Sequence, residues 1–235
     1  PAVNLYALRI GAALQGALLP PVLYAAGRKL GLSRPAALLA AAGILLDVCT
    51  LVEQRLVLTD ATLLLGIALQ LAGSFASDHH VPLSRGWLLC TAAAGFGISL
   101  AVCTKWTGAS TIAVAGVHSV VALVRCRAVR GATLRNLFSE AIVRLLLLLA
   151  VPAIVYAACF AVHLLLLPRT GPGAKFMSTG FRKTLSGDDT LSQGISVVPP
   201  KDLVSRMIEL NGEMLRANAA IRKQHKWGSR WWEWP

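Results

Sequence analysis

The feature that most constrains this chain is a series of long apolar runs separated by short polar connections. A helix needs roughly 20 apolar residues to cross a hydrocarbon core of roughly 30 Å, and each run is close to that length. Backbone polar groups inside a bilayer must be satisfied within the segment, so runs of this kind fold as helices. The six predicted spans are 5–26, 35–51, 56–75, 86–103, 108–124 and 142–167. We therefore predict an all-α, polytopic transmembrane helix bundle.

Composition agrees with a membrane protein and argues against a nucleic-acid partner. Hydrophobic residues make up 55% of the 235 residues and charged residues only 14%, more apolar surface than one soluble core could hide. The formal net charge is +12, but much of it sits in short loops between apolar runs. Cytoplasmic loops of membrane proteins carry such an excess of Lys and Arg, so lipid is the predicted partner.

The loop charges also predict an orientation. Three connections, "GRKLGLSRP", "ASDHHVPLSR" and "VRCRAVRGATLRN", hold eight basic residues, whereas the opposite short loops hold only Arg55 and Lys105. The positive-inside bias puts the three basic loops in the cytosol. Arg55, Lys105 and everything after Leu167 are then predicted to lie on the lumenal or extracellular side.

Two charged residues near the predicted lumenal ends of spans are candidates for binding an anion. Arg55 lies in "VEQRLVLTD" and Lys105 in "TKWTG", so both cations would face a lipid phosphate on the same leaflet. Alternatively, Arg55 pairs with Glu53 or Asp60, and Lys105 extends to water. Spacing alone leaves both interpretations open. His118 and His163 lie in apolar spans and are interpreted as hydrogen-bonded core residues; no metal site is predicted.

The stretch "LLPRTGPGAKFMSTGF" changes from apolar to polar at the end of the sixth span. Pro172 fixes its own φ, and Gly171 and Gly173 tolerate backbone angles or close approaches that a side chain would forbid. We expect a tight turn that holds Lys175, Phe176 and Ser178 near the lumenal mouth. The alternative is a simple connector.

An amphipathic helix is predicted in the C-terminal part of the chain. Apolar residues recur at steps of four and three, the spacing of one helical face: Leu203, Met207, Leu210, Met214, Ala217 and Ile221. Such a helix packs on its own membrane domain or lies flat on lipid. The tryptophans of "HKWGSRWWEWP" are typical of a membrane interface, so we expect a further span beyond Pro235. The predicted division is a membrane core at 1–167 and a lumenal segment at 168–235.

Several of these motifs together resemble one enzyme family. The blocks "QRLVLTD", "TKWTG", "LLLPRTGPGAKFMSTGFRKTL", "MIELNGEMLRAN" and "SRWWEWP" occur in the order found in the dolichyl-phosphate-mannose protein O-mannosyltransferases, which are lipid-linked glycosyltransferases of the GT-C type. The early residues Tyr6, Arg9, Gly16, Pro20 and Tyr24 are similar to that family as well. The resemblance implies a polytopic enzyme of the endoplasmic reticulum membrane.

The implied reaction moves mannose from dolichyl phosphate mannose to Ser or Thr hydroxyls of secretory proteins, with inversion. Cations such as Arg55 and Lys105 would stabilise the departing phosphate. The donor is a substrate, no cofactor is implied, and a second family member is an expected dimer partner. The family's acidic Asp-Glu pair lies ahead of the position matching Pro1, so no catalytic residue is expected here and the segment alone should be inactive.

Two departures from the resemblance keep alternatives open. The chain begins without Met, so we expect a fragment, and a short linker stands where common eukaryotic members carry a β-trefoil MIR module. The short linker in place of that module is also compatible with a location in a bacterial plasma membrane. A polytopic transporter or channel and a non-catalytic subunit similar to these transferases remain as rival functions.

Overall fold

A computed structural model describes residues 5–55, 59–187 and 199–221. Regular structure in these ranges is helical, with one isolated bridge between Arg169 and Ser186. The α-helices are α1 (Leu5–Leu30), α2 (Arg34–Leu46), α3 (Val48–Arg55), α4 (Asp60–Ser77), α5 (Arg85–Thr104), α6 (Ser110–Arg130), α7 (Leu134–Leu145), α8 (Val151–Leu166), α9 (Thr179–Arg182) and α10 (Leu203–Ala219).

The predicted all-α membrane bundle is confirmed. Five helical segments among the described residues are long and apolar enough to cross a membrane: Arg9–Leu30, Asp60–Ser77, Arg85–Thr104, Trp106–Val129 and Leu134–Leu166. The pair α2–α3 makes a sixth if its two bent halves form one span. The predicted amphipathic helix is also present, as α10, and begins after the N-cap Asp202.

The second predicted span is not a continuous helix. It bends by 64° between α2 and α3, at Asp47. One carboxylate oxygen of Asp47 accepts hydrogen bonds from the backbone N–H of Thr50, at 2.8 Å, and from the Thr50 hydroxyl. A side-chain oxygen that satisfies the free N–H groups of a helix start is an N-cap, so Asp47 starts a new helix inside the apolar run.

The sixth predicted span begins eight residues too late, and the basic loop before it is much shorter than predicted. Helix α6 continues to Arg130, Gly131 ends it with a left-handed φ of 61°, and Thr133 caps α7 at Leu134. Leu134–Leu166 then runs as one helical span with a π turn at Leu146–Ala150. Apolar length marks the hydrocarbon core, whereas helices with basic ends continue into the interface.

Helices α4 and α5 pack with their backbones in direct contact. A Cβ added at Gly73 would lie 2.5 Å from the Cys90 carbonyl oxygen, and one at Gly97 would lie 2.4 Å from the Gln70 nitrogen. Small residues allow such approaches between membrane helices. This contact brings the start of α4 beside the end of α5.

The chain divides into two compact units, residues 1–156 and 157–235. The first contains α1 to α7 and most of the spans, with a small core at Ala94, Ile98, Ala115 and Leu148. The second contains the final turns of α8, the Gly-Pro-Gly stretch, α9 and α10. Each unit supplies one candidate site.

Candidate functional site

The candidate phosphate-binding residue Lys105 lies in the first unit and makes an ion pair. Its Nζ is 2.5 Å from Oδ1 of Asp60, the first residue of α4. Lys105 ends α5 in an extended conformation, and the turn after it is tightly packed, since a Cβ at Gly108 would lie 2.2 Å from the Ala101 carbonyl oxygen. The Lys105 side chain is 44% exposed, so its ammonium remains accessible to a second anion.

The other candidate cation, Arg55, is the last residue of α3, and its side chain lies outside the described residues. Both carboxylates considered as its partners make other contacts. Asp60 bonds Lys105, and Glu53 accepts from the Cys49 thiol at 3.8 Å. The role of Arg55 in binding phosphate therefore stays a prediction.

Polar groups that the sequence reasoning missed lie near these cations. Gln15 of α1 accepts a hydrogen bond of 2.5 Å from the Thr62 hydroxyl in the first turn of α4. Gln54, next to Arg55, is buried against Gly16, and its Nε2 has no hydrogen-bond partner among the described residues. Single glutamines in apolar runs carry no sequence signal, because their partners are distant in the chain.

The opposite end of the first unit holds a second charged cluster. Glu140 and Arg144, 3% and 5% exposed, form a buried ion pair on α7 at 2.9 Å. The Arg144 guanidinium also lies over the buried Trp87 ring, 5.1 Å from its centroid. His118 bonds Asp78 at 3.1 Å, which confirms the hydrogen-bonded histidine predicted there. Asp78, Trp87, Glu140 and Arg144 line a cavity of about 230 Å³.

In the second unit, the Gly-Pro-Gly stretch forms one defined turn. Pro172–Phe176 is a 3-10 helix in which the Ala174 N–H donates to the Gly171 carbonyl at 2.9 Å. Its start is anchored by the N–H of Thr170, which donates to the Ser186 carbonyl at 2.9 Å. The candidate residues Lys175 and Phe176 are both exposed, and the ammonium lies 5.2 Å from the ring centroid.

The reason predicted for the two glycines is wrong in this structure. Gly171 is extended, with φ at −147°, and neither Gly171 nor Gly173 has a left-handed φ. A Cβ on either residue would meet nothing within 4 Å. Both instead line a cavity of about 630 Å³, so their lack of side chains leaves room in that cavity.

That cavity is mainly apolar, and the described residues that line it all belong to the second unit. Its walls are the last turn of α8, the 3-10 turn and the apolar face of α10: Leu164, Leu167, Ala174, Phe176, Met177, Phe181, Leu185, Leu210, Met214 and Ala217 are among the lining residues. His163 also lines the cavity and is exposed, so the core histidine predicted at this position is wrong.

The predicted residue Ser178 is held by a carboxylate from α10. Glu209 accepts hydrogen bonds from the backbone N–H of Ser178 and from its hydroxyl, the latter at 2.9 Å, and pairs with Lys201 at 2.7 Å. Burial alone would raise the pKa of Glu209, but the bonds from Lys201 and Ser178 outweigh it and hold the pKa below its ordinary value. Glu209 therefore clamps the turn to α10.

We expect Glu209→Gln in the full-length protein to loosen this clamp. The amide keeps one acceptor but loses the charge, at a cost of about 1–3 kcal/mol, so hydrogen exchange at residues 170–187 should accelerate. Because folding lowers the pKa, the clamp is complete above the ordinary value of about 4.3 and is lost as the pH falls through the folded value. This acid-induced loosening should be absent from Glu209→Gln.

The control for this experiment is Glu53→Gln in α3. Glu53 belongs to the first unit and accepts a hydrogen bond from the Cys49 thiol at 3.8 Å, so the substitution removes a carboxylate without touching the turn. Equal exchange in the parent and in Glu209→Gln would mean that the carboxylate is not what holds the turn.

Comparison with known proteins identifies relatives of this chain. The family model described as dolichyl-phosphate-mannose-protein mannosyltransferase matches residues 1–168. The chain is 33% identical over 184 residues to dolichyl-phosphate-mannose–protein mannosyltransferase 4 of Candida albicans, covering 76% of this chain and 24% of that protein. It is 34% identical over 190 residues to protein O-mannosyl-transferase 1 of Mus musculus, covering 79% and 25%.

A solved structure agrees with these relatives. The protein O-mannosyltransferase Pmt1-Pmt2 complex of S. cerevisiae, bound to the sugar donor, matches with a TM-score of 0.74 and 26% identity over 77% of this chain. The match covers 25% of that chain. The 235 residues thus span about a quarter of the length of the relatives they match.

Proposed function

This chain belongs to the dolichyl-phosphate-mannose-protein mannosyltransferase family, and from that we propose that its parent protein transfers mannose from dolichyl phosphate mannose to Ser or Thr hydroxyls of secretory proteins. The observation that carries the proposal is the family match over residues 1–168, which includes both candidate cations. The test is transfer of labelled mannose by the purified full-length protein to an acceptor peptide.

In the proposed reaction the acceptor oxygen attacks the sugar carbon, and the bond from that carbon to the phosphate oxygen breaks. The hydroxyl proton passes to a carboxylate, and polyprenyl phosphate leaves with its additional negative charge. Lys105 and Arg55 stabilise that charge.

We assign the Gly-Pro-Gly turn a shaping role at the site where donor head group and acceptor peptide meet. Gly171 and Gly173 leave space in the cavity that Phe176 also lines, and Glu209 fixes Ser178 at the end of the turn. The alternative, a connector to α10, predicts no effect on transfer when that space is filled.

Gly173→Val combined with Pro172→Ala should lower transfer clearly without lowering the amount of inserted protein. The valine enters the cavity without a clash, because a Cβ at Gly173 has no neighbour within 4 Å. The measurement is initial rate per folded molecule. Gly116→Val in α6 is the matched control, since a Cβ there is equally unobstructed. Parental rates in the double variant would leave the turn as a connector.

We place the parent protein in the endoplasmic reticulum membrane, with the turn in the lumen and a second family member as its partner. The loop charges support the orientation, and the solved relative is itself a complex of two such proteins. The rival location, a bacterial plasma membrane, and the rival functions of a transporter or non-catalytic subunit predict no lumenal mannosyl transfer.

Inserted glycosylation acceptor sites check this orientation. A site placed near Lys175 should be glycosylated, because that segment is predicted to be lumenal, and a site placed near Arg130 should not. The readout is an endoglycosidase-sensitive shift on a gel. Modification only near Arg130 would reverse the topology and remove Lys105 from the lumenal side.

A further inference from the structure

The 630 Å³ cavity of the second unit lies at the end of a membrane span. Leu164 and Leu167, at the end of the apolar segment Leu134–Leu166, line it together with Leu210, Met214 and Ala217 of α10. Because only Leu167 and Pro168 separate Leu166 from the bridge at Arg169, the cavity lies close to the point where the span ends. The cavity is therefore within reach of lipid chains.

Helix α10 is apolar on a second side as well. Val204, Ile208 and Leu215 share one face by their spacing, and each is 60% to 68% exposed. A helix with apolar residues on both its cavity side and its outer side, attached to the end of a span, is suited to the membrane interface.

The charges at the cavity are mixed in sign. Arg169, Arg216 and Glu213 line it, and Arg216 and Glu213 form an ion pair with 2.7 Å between Nη2 and Oε1. A head group that carries both a phosphate and an ammonium matches such a set, the phosphate facing the arginines and the ammonium facing the carboxylate. Pockets of about 300–1,000 Å³ with apolar walls and few polar groups are typical of small-molecule sites.

We propose that this cavity binds an acyl chain of a zwitterionic membrane phospholipid, with the head group at Arg169, Glu213 and Arg216. The bound chain fills the space between the 3-10 turn and α10 and so supports the turn from within. This proposal does not depend on the reaction assigned above, because a phospholipid is not its substrate.

The test is photolabelling of the full-length protein in phosphatidylcholine vesicles that contain phosphatidylcholine with a diazirine in its acyl chain. Peptide mapping should place the label on residues 164–181 and 210–217. Ala217→Trp fills the cavity and should reduce this label about tenfold. Ala219→Trp, on the same helix but outside the cavity lining, should leave it unchanged. Gly173→Leu fills the cavity from the turn instead and covers the case in which Ala217→Trp does not fold.

A second set of vesicles contains polyprenyl phosphate with a diazirine in its chain. The phospholipid assignment is wrong if this probe labels the same segments as strongly as phosphatidylcholine does. It is also wrong if phosphatidylcholine labels neither segment, or labels them equally in the parent and in the filled variants. Transfer activity measured alongside reports on the proposed reaction separately.

Discussion

Lys105→Ala in the full-length protein is expected to lower mannosyl transfer about a hundredfold, because one charge-stabilising contact at a transition state contributes on the order of 3 kcal/mol. The leaving phosphate gains charge as the sugar bond breaks, and the Lys105 side chain is 44% exposed while its ammonium is paired with Asp60. It can therefore contact a second anion without first breaking its ion pair. The measurement is the initial rate per folded molecule at saturating acceptor.

Three further variants make this result specific. Lys105→Arg keeps the charge and should retain much more transfer than alanine does. Arg55→Ala should also reduce transfer if its side chain reaches the same phosphate. Arg28 is an exposed cation in the last turn of α1, at the end predicted to be cytosolic. Arg28→Ala should therefore have parental activity. Parental turnover in both Lys105→Ala and Arg55→Ala would mean that these cations are structural.

Arg144→Ala is expected to destabilise the first unit by about 3–5 kcal/mol, the usual cost of leaving one member of a buried ion pair alone. Glu140 is 3% exposed and bonds both the Nε and Nη2 of Arg144, at 3.0 and 2.9 Å. The substitution also removes the cation over the Trp87 ring. The measurement is thermal unfolding of the full-length protein in detergent, followed through tryptophan fluorescence.

Removing both charges together separates charge loss from packing loss. Glu140→Gln with Arg144→Met fills a similar volume without a buried charge, so it should recover most of the stability. Arg135→Ala on the exposed side of α7 should unfold at the parental temperature. If Arg144→Ala and the double variant unfold at the same temperature, the loss of the guanidinium over the Trp87 ring, which both variants share, accounts for the effect instead.

Helices were predicted well where their formation depends on residues that are close together in the sequence. The apolar runs identified the spans, and the four-and-three spacing identified α10, because both depend on residues close in sequence. The bend at Asp47 was missed for an avoidable reason. A carboxylate three residues before Thr50 is a local capping signal, which the apolar composition around it concealed.

The same distinction between local and long-range properties applies to the candidate sites. By itself, the sequence determined that this is a polytopic helical membrane protein, which residues form the Gly-Pro-Gly turn and which family they resemble, since periodicity, apolar length and motif order are local properties. Only the tertiary structure decided that Lys105 pairs with Asp60, 45 residues away, and that Glu209 holds Ser178 across 31 residues. The same holds for the two glycines, whose role depends on the cavity beside them. Such contacts require helices to pack at a particular register, and a side chain's partner is undefined until that packing has formed.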